Sequence, residues 1–490
     1  MAKPLSILFV TSEAYPYIKS GGIADVSYSL PMALRDLGHD IRIMLPKYGT
    51  VSERRNRIHE INRLRDIPIP MGKLSEPATV KSSSVFNPRT KVQAYITTNL
   101  TYFDALKGIY HDPKTGKEFP NNAERFAFFS RTVVETCMLL GWYPDLIHCN
   151  GWHTAFIPGF VRGLFANKFK KTKLVLTIHN FKQQGEYQDF NMSLTGFPKE
   201  VQSHYIQNKK INILKGGIYY SDFVTTVSPG YAKQILTDKE HGGGLGTSLK
   251  EKGSRFLGLL NGIDTYTWNP RQDDYLKHKM RSDFEEFKYN NKVELIKKIG
   301  WEYKPDVPLI GMISRLEEQK GTQLLLDSLE AIFKEKVQIV LLGLGEQETA
   351  KAVAKAEKKY SAKFKFFDEF NEQLAHLIEA GSDMFLMPSL YEPCGLNAMY
   401  SMVYGSIPIV HLTGGLANIV TPIDQKTMKG NTFVFNKFDT PDMVLAIKTA
   451  AKCFKDKELW ETLIKNATNE DFTWSKSAQK YSEIYKELMK

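Results

Sequence analysis

The sequence reads as an α/β protein made of two Rossmann-like, doubly wound domains. Three observations carry that expectation. The chain has 490 residues, more than a single hydrophobic core organises. Short apolar runs of strand length alternate with stretches of helical spacing, the pattern of repeated β-α units with right-handed crossovers. The alternation also comes in two series, separated by "NGIDTYTWNP" (261–270), where Asn, Gly, Asp and Pro cluster.

The first series opens with "LSILFV" (5–10), a run apolar enough to be buried on both faces of a parallel sheet. A long loop leads to a helix over Ile23–Leu37. Strands follow at "DIRIMLP" (40–46), "KVQAYIT" (91–97), "DLIHCN" (145–150), "KLVLTIHN" (173–180) and "DFVTTVS" (222–228), with a helix over 122–140. The stretch 47–90 is weakly patterned and is expected to hold a hairpin or long loops. The second series has strands at "PLIGMIS" (308–314), "VQIVLLG" (337–343), "KFKFF" (363–367), "MFLMPS" (384–389) and "IPIV" (407–410), with helices between them. The expected domains are 1–264 and 265–474. An amphipathic helix over 475–490 comes after the second sheet is complete.

The composition, 42% hydrophobic and 24% charged, is that of a soluble globular enzyme. Cys137, Cys149, Cys394 and Cys453 are scattered, which excludes a CxxC zinc site or a disulfide framework and suits a reducing cytoplasm. The N-terminus lacks a signal-peptide apolar region, and no run approaches the roughly 18 apolar residues of a membrane span. The net charge is +11, with basic clusters at 53–65 and 167–173. Neither is interleaved with aromatics as in a nucleic-acid module, so they read as a solvated basic face or as part of a basic cleft for a phosphorylated ligand.

Two similar turns stand almost four hundred residues apart: "SGGIADV" (20–26) and "TGGLANI" (413–419). Each carries a hydroxyl residue and paired glycines, and each is expected to precede a helix. Paired glycines let a ligand approach backbone N–H groups, and a helix N-terminus favours negative charge. The spacing is not GxGxxG, so the dinucleotide fingerprint is absent. One such turn per domain suits a ligand gripped from both sides.

Further candidates lie at strand ends. "ISRLEEQKG" (313–321) places Arg315 and Lys320 where a guanidinium fork and an ammonium suit phosphate, or where two surface cations stand. In "PSLYEPCGLNAMYSMVYG" (388–405), Glu392 lies in a turn and Cys394-Gly395-Leu396 open a helix whose free N–H groups can hold an oxyanion or sugar hydroxyls. Glu392 suits a nucleophile, a general base, a hydroxyl anchor or a helix cap. His153 in "HCNGWHTAF" and His179 in "LTIHNFKQQGEY" are site candidates or core histidines. Nothing pairs Cys394 with a base, so no thiol nucleophile is expected.

Taken jointly, "SEAYPYIKSGGIADV", "IYYSDFVTTVSPGYAKQI", "LLNGID", "SRLEEQKG", "PSLYEPCGLNAMY" and "TGGLANIV" resemble bacterial glycogen synthase and plant starch synthase, in that family's order and over nearly the whole chain. The resemblance implies a GT-B fold, two Rossmann-like domains facing each other across a deep cleft, with the final helix crossing back onto the first. It implies a cytoplasmic enzyme that transfers glucose from a nucleotide-glucose, usually ADP-glucose, to the non-reducing end of an α-1,4-glucan such as glycogen. Configuration is retained, with no cofactor, metal, nucleic acid or membrane involved. Carried over by motif, Lys19 with Gly21 and Gly22 holds the distal phosphate side. Arg315 and Lys320 neutralise the leaving pyrophosphate. Glu392 and the N–H groups from Cys394 through Gly395 to Leu396 contact glucose hydroxyls. His179 and Asn180 lie beside the glucose, His153 lies on the acceptor or glucose side, and Asn261 lines the cleft. Thr413, Gly414 and Gly415 sit at the phosphates, and Phe370 stands where a tyrosine commonly stacks on the base.

Departures from the family pattern are Gly151 for Asp, Asn397 and Ala398 for Thr and Gln, and Asn418 for Asp. They motivate one rival reading, a catalytically weak glucan-binding scaffold or regulator; a second rival, a different retaining GT-B glycosyltransferase acting on a lipid or small sugar, would lack the long "YPYIKSGGIADV" loop. A phosphorylase would need a pyridoxal-phosphate lysine, for which no distinctive pattern exists.

Overall fold

The computed structural model describes residues 4–88, 90–113 and 115–490. The chain divides into two compact units, one running through Gly262 and taking in Trp474–Lys490, the other spanning Ile263–Thr473. The division falls two residues before the expected boundary, within the Asn-Gly-Ile-Asp stretch.

In the first unit, parallel strands run in the order Phe256–Gly258, Phe223–Thr226, Lys173–Ile178, Leu146–Asn150, Ser6–Val10, Asp40–Pro46 and Lys91–Thr98. Leu146–Asn150 is buried at every position, as expected of a strand covered on both faces. The chain starts at Ser6–Val10 and winds outward in both directions, so the strand order reverses between Ser6–Val10 and Leu146–Asn150. Ligands of open α/β sheets sit at the carboxyl ends of the strands flanking such a reversal.

The weakly patterned 47–90 stretch extends this sheet. Leu74–Phe86 pairs antiparallel with Lys91–Thr98, and Ile67–Met71 and His59–Glu60 pair with it in turn. Ile67–Met71 alternates buried and exposed, the signature of a strand packed on one face. The helices begin and end where local chemistry directs. Asn122–Leu140 stops at Gly141, whose φ of 61° a side chain would disfavour.

The terminal helix, Ser475–Leu488, packs inside the first unit. Tyr485 Oη lies 2.7 Å from His148 Nδ1, and Ser482 Oγ lies 2.8 Å from His39 Nε2. Tyr481 and Tyr485 are fully buried there.

The second unit is a six-stranded parallel sheet in the order Phe364–Phe367, Gln338–Leu342, Leu309–Ile313, Met384–Met387, Ile407–His411 and Phe433–Phe435. Its order reverses between Leu309–Ile313 and Met384–Met387. The edge strand Phe433–Phe435 is absent from the sequence reading, because three residues are too short a run to register a period. Helix Phe284–Ile299 is capped by Asp283, which accepts the Glu286 N–H at 2.8 Å, and it ends at Gly300 with φ 84°.

Candidate functional site

The second unit concentrates its site at the reversal. After Leu309–Ile313 the chain turns through Ser314 and Arg315 into the 3₁₀ turn Glu318–Lys320. After Met387 it runs through Glu392 into helix Leu396–Val403. These neighbouring strands bring together residues 72 positions apart: Lys320 Nζ lies 2.6 Å from Glu392 Oε2. The Glu392 side chain is only 8% exposed, and Ser389 donates to the same Oε2 at 3.1 Å. A buried carboxylate holding a cation and a hydroxyl is a fixed anionic post.

Glycines make this proximity available. A Cβ at Gly321 would lie 1.8 Å from the Pro388 carbonyl oxygen, and its φ of 71° is left-handed, so only glycine lets the Lys320 turn pass against the Glu392 loop. The Leu390 N–H donates to the Gln319 carbonyl at 2.9 Å, closing the same contact. On the other side, the Gly415 N–H donates to the Glu392 carbonyl at 2.8 Å, and a Cβ at Gly415 would lie 2.5 Å from the Pro393 and Cys394 carbonyls. The Thr413-Gly414-Gly415 turn is thereby fastened to the Glu392 loop, and Cys394 is buried between them. Gly395, with φ 103°, starts helix Leu396–Val403 and leaves its first N–H groups open to a ligand.

One expectation is corrected here. Thr413-Gly414-Gly415 does not open an α-helix; it enters a five-residue 3₁₀ segment, Gly414–Asn418. That segment offers N–H groups but almost no macrodipole, because too few peptide units align. The departures fit locally: Asn397 Nδ2 donates to the Ile313 carbonyl at 2.7 Å, tying the helix to the strand end, and Ala398 is fully buried.

Arg315 lies two residues past its strand and pairs with Glu317 at 2.7 Å, both well exposed. Phe370 is 63% exposed in the loop before helix Glu372–Gly381, so a ring face is available for stacking.

In the first unit the strand reversal holds the other candidates. Lys19 pairs with Asp25 at 3.1 Å, and Gly21 and Gly22 lead into helix Gly22–Asp36. His179 follows Lys173–Ile178 and lies 3.1 Å, through Nε2, from Asn150 Oδ1. Burial pushes the His179 imidazole down to about 4, so it is neutral at pH 7. Asn180 Oδ1 accepts the Lys182 N–H at 3.0 Å.

His153 sits in the 3₁₀ turn Trp152–Thr154, packed on the Tyr110 ring and 6% exposed. Burial, then the charge of Arg125, then His179 hold it well below the ordinary imidazole range. Its Nδ1 has no partner among the described residues, and neither has Asn261 Oδ1, itself 5% exposed. Orphaned polar atoms on buried side chains are costly unless something fills them, which marks both as ligand-facing candidates. His148, two residues before Asn150, is the contrasting case. Both its ring nitrogens are engaged, by Thr177 Oγ1 at 2.6 Å and Tyr485, and it is a core histidine.

Sequence reasoning missed three carboxylates. Asp25 and Glu317 partner Lys19 and Arg315. Glu13, 1% exposed, accepts two bonds from Ser20 in the Lys19 turn. Asp25 and Glu317 were legible as acidic neighbours within six positions of a site cation. Glu13 lies equally near Lys19 in sequence, but its bonds to Ser20 and Tyr110 depend on the loop folding back.

Comparison with known proteins follows the same division. Residues 6–251 match the family described as starch synthase catalytic domain, and residues 295–470 match glycosyl transferases group 1. A glycogen synthase of Chlorobaculum parvum is 34% identical over 99% of this chain and 98% of its own length. One of Clostridium novyi is 37% identical, covering 99% of both chains. Among solved structures, the catalytic domain of starch synthase IV from Arabidopsis thaliana, bound to ADP and acarbose, superposes with a TM-score of 0.90 at 30% identity, over 99% of this chain and 100% of that one. Sucrose-phosphate synthase of Thermosynechococcus elongatus, at 16% identity, 98% coverage of both chains and a TM-score of 0.61, shares the fold. The chain is a glycosyltransferase of GT-B fold and belongs to the glycogen synthase and starch synthase family.

Proposed function

We propose that the protein transfers glucose from ADP-glucose to the non-reducing end of an α-1,4-glucan such as glycogen, with retention of configuration, in the cytoplasm. The observation that carries the reading is the Lys320–Glu392 pair at the strand reversal, fastened to the Thr413–Gly415 turn by the Gly415 N–H. A starch synthase that binds ADP supports the nucleotide assignment. In this reading Arg315 and Lys320 offset the charge that develops on the departing diphosphate. The N–H groups at Leu396 and Gly414 hold oxyanions, and Phe370 stacks on the base. Lys19 with Gly21 and Gly22 serves the distal phosphate. Glu392 anchors glucose hydroxyls through its free oxygen, and neutral His179, with Asn180, His153 and Asn261, serves the sugar side.

The reaction needs no metal or other cofactor in this reading, because preorganised cations and N–H dipoles stabilise the leaving group. Of the adjacent acidic pairs, Asp273-Asp274 is committed elsewhere: Asp273 is buried against His376 at 2.7 Å and Tyr404 at 2.5 Å. The testing experiment is a donor panel of ADP-, UDP- and GDP-glucose with glycogen as acceptor. Turnover fastest with ADP-glucose is expected. Turnover with none of the three, alongside retained glycogen binding, would replace this reading with that of a glucan-binding scaffold.

A further inference from the structure

The reaction as assigned does not use Glu13, yet this side chain organises the first unit's glycine turn. Its Oε2 accepts the Ser20 backbone N–H at 2.5 Å. Its Oε1 accepts the Ser20 hydroxyl at 2.9 Å and the Tyr110 hydroxyl at 2.9 Å. The Tyr110 oxygen also lies 2.7 Å from Ser12 Oγ, and the Tyr110 ring stacks on His153 with centroids 4.5 Å apart. One carboxyl therefore connects three things: the carboxyl end of Ser6–Val10, the Lys19-Ser20-Gly21-Gly22 turn and, through Tyr110, the His153 ring.

We infer that Glu13, in its ionised form, is a positioning residue for the glucosyl transfer, holding the Lys19–Gly22 turn in the shape that binds the donor. This rests on the reading of that turn as a phosphate-side element. Three donors converge on Glu13, and an ionised carboxylate has acceptor sites for all of them. A protonated carboxyl loses one of those sites and gains a hydrogen that needs an acceptor of its own.

The surroundings oppose the ionised form. Burial raises the carboxyl most, the Ser20 and Tyr110 bonds lower it, and the Asp25 charge raises it again, so Glu13 titrates at about 7. The groups facing it are Asp25 on helix Gly22–Asp36, itself paired with Lys19, Tyr110 on the 105–121 segment, and Tyr48 after strand Asp40–Pro46. The sign follows. A carboxyl raised above its unfolded range contributes stability at low pH that is lost as pH rises through about 7. The state that orders the turn is thus the state that destabilises the fold, an opposition that accompanies function more readily than architecture.

Glu13→Gln copies the neutral carboxyl at every pH. The measurements are kcat and KM for ADP-glucose with glycogen from pH 5.5 to 8.5, with thermal unfolding at each pH. Wild-type kcat/KM is expected to rise through a limb near pH 7. Glu13→Gln should lack that limb and lie roughly 10- to 100-fold below wild type at pH 8, mostly in KM, from misplacement of the turn. Its Tm at pH 8 should equal or exceed that of wild type. Tyr110→Phe keeps the ring on His153 but removes one bond that lowers the carboxyl, so its limb should move to higher pH. Wild-type kcat/KM with an unchanged limb in Glu13→Gln would overturn the inference. So would Tm and activity falling together at every pH, which marks a merely structural group. Lys19→Ala separates the two readings: unchanged donor KM there removes the phosphate role of the turn but leaves the Glu13 limb standing.

Discussion

Each cation assigned to phosphate arrives with its own carboxylate: Lys19 with Asp25, Arg315 with Glu317, Lys320 with Glu392. The three pairs differ in exposure and so in what a mutation does. Arg315–Glu317 is a surface pair worth about 0–1 kcal/mol, which a diphosphate can replace at little cost. Arg315→Ala should therefore lower kcat by on the order of 100-fold and leave thermal unfolding unchanged. Glu317→Gln should lower the donor KM a few-fold, since Arg315 then has no competing anion; an unchanged or higher KM would place Arg315 away from the phosphates. Lys320→Ala should lose about as much activity. Stability should fall as well, because Glu392 is left buried without its cation. About 1–3 kcal/mol of stability should go with it, read by urea unfolding. Glu392→Gln should lower activity without trapping a glycosyl-enzyme, since retention through a covalent intermediate needs a second carboxylate about 5 Å away. A glucosylated peptide containing residue 392 in a mass spectrum would contradict this.

At the scale of elements, the second unit's site is a junction of three loops that only glycine allows to touch. Gly321 lets the Lys320 turn pass the Pro388 carbonyl, and Gly415 lets the Thr413 turn lie on the Glu392 loop. Gly321→Ala combines a steric overlap with a left-handed backbone that alone costs about 1–3 kcal/mol. It should lower both Tm and kcat by separating Lys320 from Glu392, although residue 321 carries no chemistry. An active Gly321→Ala with wild-type Tm would show that the contact relaxes without consequence. The two glycine turns also prove unequal. The first enters a 15-residue helix with a usable N-terminal dipole, while the second enters a 3₁₀ segment and relies on individual N–H groups.

At the scale of the whole molecule, the terminal helix returns to the first unit and seals the sheet behind its histidines. His148, beneath Tyr485, is pushed by burial down to about 3; His179 is pushed to about 4; His153 is also lowered. Folded-state values below the unfolded range mean that the neutral rings contribute stability above about pH 6.5, lost as pH falls through about 4 and then about 3. Each group adds a slope of up to about 1.4 kcal/mol per pH unit in that window. Urea unfolding at pH 7.5, 5.5 and 4.5 should show falling stability, and a flat profile would contradict it. Glu13 acts in the opposite sense in the same unit and will flatten the upper part of the curve. Activity should persist in excess EDTA. Activity lost in EDTA and restored by Mg²⁺ or Mn²⁺ would mean that the diphosphate charge is met by a metal rather than by Arg315 and Lys320.

The apolar runs at 5–10, 309–313 and 384–387 were readable as buried parallel strands because burial on both faces demands a nearly unbroken apolar string. The glycine turns, the candidate cations and the family resemblance were equally legible, since each is written in neighbouring residues. The extension of the sheet by Leu74–Phe86 was not, because its 13 residues mix serine, lysine and proline. It becomes a strand by pairing with Lys91–Thr98. The Lys320–Glu392 pair, the fastening of Gly415 to the Glu392 loop and the convergence of Ser20 and Tyr110 on Glu13 were likewise invisible. Each joins residues brought together by strand order or loop return, across 72 positions for Lys320 and 97 for Tyr110. Local pattern records which residues form a strand or turn, whereas the partner of a buried charge is set by which strands lie side by side, and that is settled only when the sheet assembles.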